Sequence, residues 1–270
     1  MLQRLAETTM PNPHLPTEIL DYTVDLLHDT SDALRNCCLV SKSWVPRTRK
    51  HLFADVWFPN VGALRSWMET FPDPSTSPAC YAKTLSLECE APDVEVGGWI
   101  RGFSRVERLE VGCQGLSADT SATPLVPFHG FSPVIKSLRL IVLALPPSAL
   151  FNLILSFPLL EDLVVIVHGE VSTDSGDGFE EDAIATQPSS QPMFTGSLEL
   201  YLERGMGLFT RQLLTLPGGI RFRKLTLTCF SEEDLSLTAA LVKECSHTLE
   251  SFDINWQLYS TSSRHLRPHP

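Results

Sequence analysis

The chain has 270 residues, of which 43% are hydrophobic and 20% are charged, a composition typical of a globular protein. Its formal net charge of −11 argues against a surface for nucleic acid or anionic membranes, because such surfaces cluster cations. The seven cysteines include no C-x-x-C pair, so reduced thiols in a cytoplasmic or nuclear protein are expected. Lys136 and Arg139 interrupt the most hydrophobic region, so no membrane span is expected.

Three short helices are predicted between residues 14 and 53, after an N-terminus (residues 1–13) that is expected to be disordered. The first helix follows Pro16, which suits a first helical turn. Its apolar face consists of Leu20, Val24 and Leu27. A polar turn at residues 29–32 separates it from a second amphipathic helix. A third is predicted from Leu39 to Leu52, where Pro46 is expected to begin or kink a helix.

After Phe53 the pattern apolar-x-x-apolar-x-apolar recurs eight times. The repeats begin at Phe53, Ala82, Val106, Ile135, Leu160, Thr195, Phe222 and Leu249. The starts are 29, 24, 29, 25, 35, 27 and 27 residues apart. One such match arises easily by chance, but regular intervals of 20–50 residues are typical of a stacked repeat array.

The last two apolar residues of each repeat are two positions apart, so both side chains point to the same face of a short strand. Between the strands, apolar residues at helical spacing predict returns that cover this face. These stripes are Val61, Leu64, Trp67, Met68 and Phe71; Leu150, Leu153, Ile154 and Phe157; and Leu237, Leu241 and Cys245. The sequence therefore predicts an α/β domain over residues 54–259, with parallel strands backed by helices.

Two segments of the chain after Phe53 lack the repeated apolar pattern. Residues 169–192 contain six acidic residues and no basic one, and they are rich in Gly, Ser and Pro. This composition predicts an acidic insertion loop, which explains the 35-residue interval. Residues 260–270 have no apolar pattern and are expected to form a flexible tail.

The N-terminal segment contains Leu15-Pro16-x-Glu18-Ile19-Leu20, Asp32-Ala33-Leu34, residues 38–44 (CLVSKSW) and His51-Leu52-Phe53. This series resembles an F-box, closest to the fungal type that precedes a degenerate leucine-rich-repeat array. The resemblance implies a three-helix F-box over residues 14–53, followed by an irregular leucine-rich-repeat-like solenoid. The Asn or Cys that regular leucine-rich repeats place eight positions after the first leucine is missing from all eight repeats.

What the resemblance implies for function is a substrate-recognition subunit of an SCF-type (cullin–RING) E3 ubiquitin ligase. Its F-box would dock a Skp-type adaptor and through it a cullin, and its solenoid would bind a protein target for ubiquitin-dependent degradation. The residues that it places at or just under the adaptor interface are Leu15, Pro16, Ile19, Leu20, Leu34, Val40, Ser41 and Trp44. The alternative is a non-catalytic interaction scaffold whose F-box is vestigial and which is not part of a ligase.

Core packing is the competing interpretation for each of these N-terminal residues. It is favoured for Leu20, Val24 and Leu27, whereas contact is favoured for Leu15 and Pro16, which precede the first helix. Trp44 fits both roles, because a large ring is often both core and binding hot spot. A segment of 39 residues has too few apolar positions for an independent core, so a partner surface would complete it.

No catalytic chemistry is predicted. The sequence has no P-loop, G-x-G-x-x-G, G-x-S-x-G or H-E-x-x-H motif. Its eight histidines and seven cysteines do not form the C-x2–4-C…H-x3–5-H series typical of a zinc site. We therefore expect no catalytic residue, no metal and no cofactor, and we expect a protein target rather than nucleic acid or a membrane.

A target surface is predicted on the strand face opposite the paired apolar positions. In the middle repeats this face carries an apolar cluster framed by Arg139, Asp162 and Glu199. The cluster consists of Ile141, Val164, Ile166 and Tyr201. An apolar patch rimmed by charge is typical of a binding surface. The alternative is that these strands are buried on both faces, as parallel strands often are.

Overall fold

The computed structural model describes residues 16–89, 98–113, 128, 131–142, 147–167, 194–202, 206–216, 218–229 and 232–256. The chain divides into two compact units between Ala54 and Asp55. The predicted N-terminal segment 1–13, insertion loop 169–192 and tail 260–270 lie outside the described residues.

The first unit contains three helices, α1 (Thr17–Leu26), α2 (Ser31–Val40) and α3 (Val45–Leu52). Pro16 caps α1 and lies just outside it, and its carbonyl oxygen accepts hydrogen bonds from the N–H groups of Ile19 and Leu20. Proline suits this position because its fixed φ leads the chain into the helix without the loss of a hydrogen-bond donor.

The third helix begins later than the sequence predicts. Val40 belongs to α2, and α3 starts at Val45 with Pro46 in its first turn. A helix that ran from Leu39 through Pro46 would lose a backbone hydrogen bond and would bring the proline ring against the preceding turn. Of the two expected roles of Pro46, beginning a helix or kinking one, the structure confirms the first.

Few apolar side chains of the first unit are buried. Val24, Leu34 and Cys37 are its buried hydrophobic residues, and Thr48 is buried beside them. The Thr48 hydroxyl hydrogen bonds to the carbonyl oxygen of Val45 in its own helix and accepts a contact of 3.2 Å from the Cys38 thiol on α2. The unit therefore has a small core that is partly polar.

The second unit is built on eight strands that form a single, all-parallel sheet in chain order. They are β1 (Asp55–Phe58), β2 (Thr84–Cys89), β3 (Arg108–Cys113), β4 (Ser137–Val142), β5 (Asp162–Val167), β6 (Ser197–Leu202), β7 (Lys224–Cys229) and β8 (Ser251–Trp256). The α/β prediction with parallel strands is confirmed.

The pairing register aligns the predicted apolar positions across the whole sheet. One row contains Val56, Leu85, Leu109, Leu138, Leu163, Leu198, Leu225 and Phe252. The first apolar position of the sixth repeat, Thr195, is half-buried, and the neighbouring Phe194 supplies the core side chain instead. The Phe194 ring packs against Phe222 with their centroids 5.3 Å apart.

Residues 98–100 are helical, and four further helices of the returns lie wholly within the described residues. These are α4 (Val61–Thr70), α5 (Pro147–Leu155), α6 (Met206–Leu214) and α7 (Glu232–Glu244). The three predicted stripes lie on or directly after α4, α5 and α7 and contribute buried or partly buried side chains to the core. Two elements were not predicted, namely α6 and the 3-10 helix Pro78–Tyr81.

The core lies between the sheet and these returns. Burial alternates along β5, where Leu163, Val165 and Val167 are buried and the residues between them are half-buried. The two faces of the sheet therefore have different surroundings. Over the described ranges, no helix combines the length and the apolar character that crossing a membrane would require.

Candidate functional site

The predicted adaptor-binding residues of the first unit differ widely in exposure. Exposed among them are Pro16, Ile19 and Val40; half-buried are Leu20, Ser41 and Trp44; and Leu34 is buried. Leu15 lies outside the described residues. Leu34 belongs to the core, which fits a place under an interface rather than in it.

The sequence interpretation missed a second apolar stripe on α1. Ile19, Tyr22 and Leu26 are at spacing i, i+3 and i+7, and their side chains are 50%, 63% and 65% exposed. Leu39 and Val40, at the end of α2, are 85% and 69% exposed. These five are the exposed large hydrophobic residues among residues 16–54, and the spacing on α1 was a signal for three of them.

An ion-pair cluster connects α1 to α3. The Arg47 guanidinium donates to both carboxylate oxygens of Asp25, with 2.6 Å from Nε to Oδ1, and His51 Nε2 lies 2.7 Å from Oδ1. The hydrogen bonds from Arg47 and then His51 hold the pKa of Asp25 well below its usual range. The cluster pairs Arg47 with a carboxylate 22 residues away in the sequence.

The predicted target cluster is assembled by the strand register. Ile141 on β4 lies beside Ile166 on β5, which lies beside Tyr201 on β6. Val164 is one row away. All four side chains are half-buried, whereas Leu163 and Val165 on the core face are fully buried. The structure brings the cluster together on a face that is partly accessible.

Two of the charged residues predicted to frame this cluster, Arg139 and Asp162, have partners on neighbouring strands. Arg139 Nε lies 3.1 Å from a carboxylate oxygen of Glu110 on β3. Asp162 Oδ1 accepts hydrogen bonds from the backbone N–H of Ser197 (2.6 Å) and from its hydroxyl (2.7 Å). These carboxylates and the guanidinium therefore have fixed positions at the edge of the apolar row.

The described residues offer no arrangement typical of catalysis. No three His, Cys, Asp or Glu side chains within the described ranges lie close enough together to hold a metal ion. Burial raises the pKa of the Cys229 and Cys245 thiols, so neither is an activated nucleophile. The geometry of the described residues is suited to binding through apolar surfaces.

Comparison with known proteins yields no match: no family model, no curated protein and no solved structure is significantly similar to this chain.

Proposed function

We propose that this chain is the substrate-recognition subunit of an SCF-type (cullin–RING) E3 ubiquitin ligase. In this proposal residues 14–53 are an F-box that docks a Skp-type adaptor. The observation that carries it is the exposed apolar surface of the three-helix unit, where Ile19 is 50% and Val40 is 69% exposed. Both residues occupy positions at which the F-box resemblance places the adaptor.

The energetics of the first unit support a partner at this surface. Among its described residues, 16–54, the buried hydrophobic residues are Val24, Leu34 and Cys37, while five large hydrophobic side chains are exposed. Small domains with so little core usually need an additional source of stability. A contiguous partner surface that covers α1 and the end of α2 would bury this apolar area and stabilise the helices.

We propose further that the second unit is an irregular leucine-rich-repeat-like solenoid whose outer strand face binds the protein target. Its strands follow one another in chain order at intervals of 24–35 residues, which is the arrangement of a repeat array. The row of Ile141, Ile166 and Tyr201 is the proposed contact surface. Such a receptor contributes proximity between the target and a ubiquitin-loaded enzyme, and no bond chemistry of its own.

Co-purification with a Skp-type adaptor and a cullin tests this proposal. The full chain is co-expressed with both proteins, alongside the variant Ile19→Asp/Val40→Asp. Both side chains are exposed, so the variant should fold, and it should recover little adaptor because each carboxylate would be buried unpaired in the interface. Leu159→Asp is the matched control, since Leu159 is 51% exposed in the second unit.

Equal adaptor recovery by the wild type and the double variant would refute docking through this surface. Recovery of neither adaptor nor cullin by the folded wild type would favour the alternative, an interaction scaffold with a vestigial F-box. Circular dichroism of each variant separates loss of binding from loss of folding.

A further inference from the structure

Among the described residues, β8 is the last strand of the sheet and ends its core row. Phe252 and Ile254 are each 41% exposed and Trp256 is 40% exposed. On β7, the register partner of Phe252 is Leu225, which is 1% exposed, and the register partner of Ile254 is Leu227, which is 0% exposed. Over the described ranges, no strand pairs with the outer side of β8. An open strand that carries apolar side chains is a template for the addition of another strand.

Charged residues at the start of the strands show what kind of strand the sheet accepts. The residues that directly precede β2 to β8 are Lys83, Glu107, Lys136, Glu161, Gly196, Arg223 and Glu250. The backbone carbonyl oxygen of each of the first six accepts a hydrogen bond from the backbone N–H of the next, at 2.7–3.2 Å. Apart from the glycine, the charge changes sign at every step. Glu250 is the last residue of this series. Its carboxylate lies 4.0 Å from Nε of Arg223, which precedes the neighbouring strand β7.

The pair β3–β4 is an internal template for the edge of β8. Glu107 directly precedes β3, and its carboxylate lies 3.8 Å from Nζ of Lys136, which directly precedes β4. Glu110 lies on β3, and its carboxylate lies 3.1 Å from Nε of Arg139 on β4. The β8 segment repeats the acidic pattern of β3, with Glu250 and Asp253 at the same spacing and apolar residues between and after them. A strand like β4 therefore complements β8 in charge and in apolar positions.

We propose that the outer edge of β8 binds an extended segment of a partner protein as a ninth, parallel strand. The segment has the pattern basic-x-apolar-basic-apolar, with Lys or Arg opposite Glu250 and Asp253 and with apolar residues opposite Phe252 and Ile254. Backbone hydrogen bonds supply the pairing, and the charges select the register and the partner. This surface lies in the second unit and does not depend on adaptor docking.

A direct test uses the full chain and a fluorescein-labelled peptide with the sequence of residues 136–142 (KSLRLIV) behind a Gly-Ser spacer. Fluorescence anisotropy should show saturable binding. The same peptide with Glu at both basic positions should bind about tenfold more weakly, because like charges then lie opposite each other. A peptide N-methylated at alternate residues on the pairing side should not bind. Absence of binding by the unmodified peptide, or equal binding by the N-methylated one, overturns strand addition.

A charge swap in the protein separates specific recognition from a nonspecific apolar contact. Glu250 and Asp253 are exposed, so Glu250→Lys/Asp253→Lys should fold, as circular dichroism can verify. This variant should prefer the Glu-containing peptide over the basic one, the reverse of the wild type. Unchanged preference in the folded variant overturns the role of the two carboxylates.

Two other occupants give distinguishable results. A second copy of the chain would produce a concentration-dependent dimer by light scattering that the peptide dissociates, and this would overturn the assignment to a different protein. The chain itself contains Arg264-His265-Leu266-Arg267, which matches the first four positions of the pattern. If the peptide binds the variant Arg264→Glu/Arg267→Glu but not the wild type, residues 264–267 of the chain itself occupy the edge of β8. This result would also overturn the assignment to a different protein.

Discussion

The two units of this protein are stabilised in different ways. The first has three buried hydrophobic residues in its described part, and a cluster of Asp25, Arg47 and His51 connects its first and third helices. The second buries 37 hydrophobic residues, among those described, in one continuous cluster. The repeated apolar row of the sheet supplies much of this cluster.

This difference indicates where each unit is sensitive. In a repeat array each strand contacts mainly its neighbours, so a core substitution should loosen the repeats around it. In the three-helix unit the apolar burial is small, so polar contacts account for a larger share of the stability. The three predictions below test this contrast, from the largest expected effect to the smallest.

Leu163→Ala should have the largest effect. Leu163 is fully buried in the middle of the core row, and its truncation should lower the free energy of unfolding by about 2–5 kcal/mol. Hydrogen exchange should become faster in β4, β5 and β6 and stay unchanged in residues 16–54. Val164→Ala, on the other face of the same strand, is the control and should change stability by less than about 1 kcal/mol. Faster exchange in the first unit would contradict the separation of the two units.

Gly196→Ala should have an intermediate effect. A β-carbon at this position would lie 2.3 Å from Asp162 Oδ1 and 3.0 Å from the carbonyl oxygen of Glu161. The displacement of Asp162 from Ser197 should cost about 1–3 kcal/mol in urea unfolding. Gly112→Ala is the control, because its β-carbon would meet Glu88 Cγ at an ordinary 3.5 Å.

A double variant identifies the cause of this loss. Asp162→Ala removes the colliding carboxylate, so Gly196→Ala should cost less in that background than in the wild type. The same cost in both backgrounds would show that the contact with Asp162 is not responsible.

Asp25→Asn should have the smallest effect, confined to the first unit. The pKa of Asp25 is lower in the folded unit than its usual value of 3.8, so the ionised carboxylate stabilises the fold above pH 3.8. This stabilisation is lost as the pH falls through the lower pKa of the folded unit. Hydrogen exchange in residues 16–54 should therefore be faster in the variant at pH 7, and the difference should shrink below pH 4. Asp32→Asn, at the exposed pair with Arg35, is the control and should change little. A difference that is constant with pH would exclude the ionised carboxylate as its source.

Much of the second unit could be predicted because its repeats follow simple periodicities. The two-residue spacing of Leu138 and Leu140 and the 24–35-residue intervals fixed the strand positions in all eight repeats. The prediction was less accurate where a neighbouring residue could serve the same purpose, as at Thr195, where Phe194 fills the core. The helix α6 was not predicted, because its apolar residues are not among the three stripes at helical spacing.

The candidate surfaces were predictable only in part. The spacing of Ile19, Tyr22 and Leu26 is visible in the sequence, but their exposure follows from which α1 stripe packs on α3. The cluster around Asp25 joins residues 22 and 26 positions apart, so no local pattern indicates it. Whether Leu34 or Val40 faces outwards was likewise decided by helix packing, since both are aliphatic and both lie on α2.

The amino-acid sequence by itself determined the number, direction and apolar face of the strands, because side-chain alternation and repeat length are local properties of a chain. Only the tertiary structure decided which charges meet, as at Glu107 with Lys136 and Glu110 with Arg139, and how exposed Phe252 is on the last described strand. Contacts of that kind depend on the register between segments far apart in sequence, and register is set by the packing of the whole core.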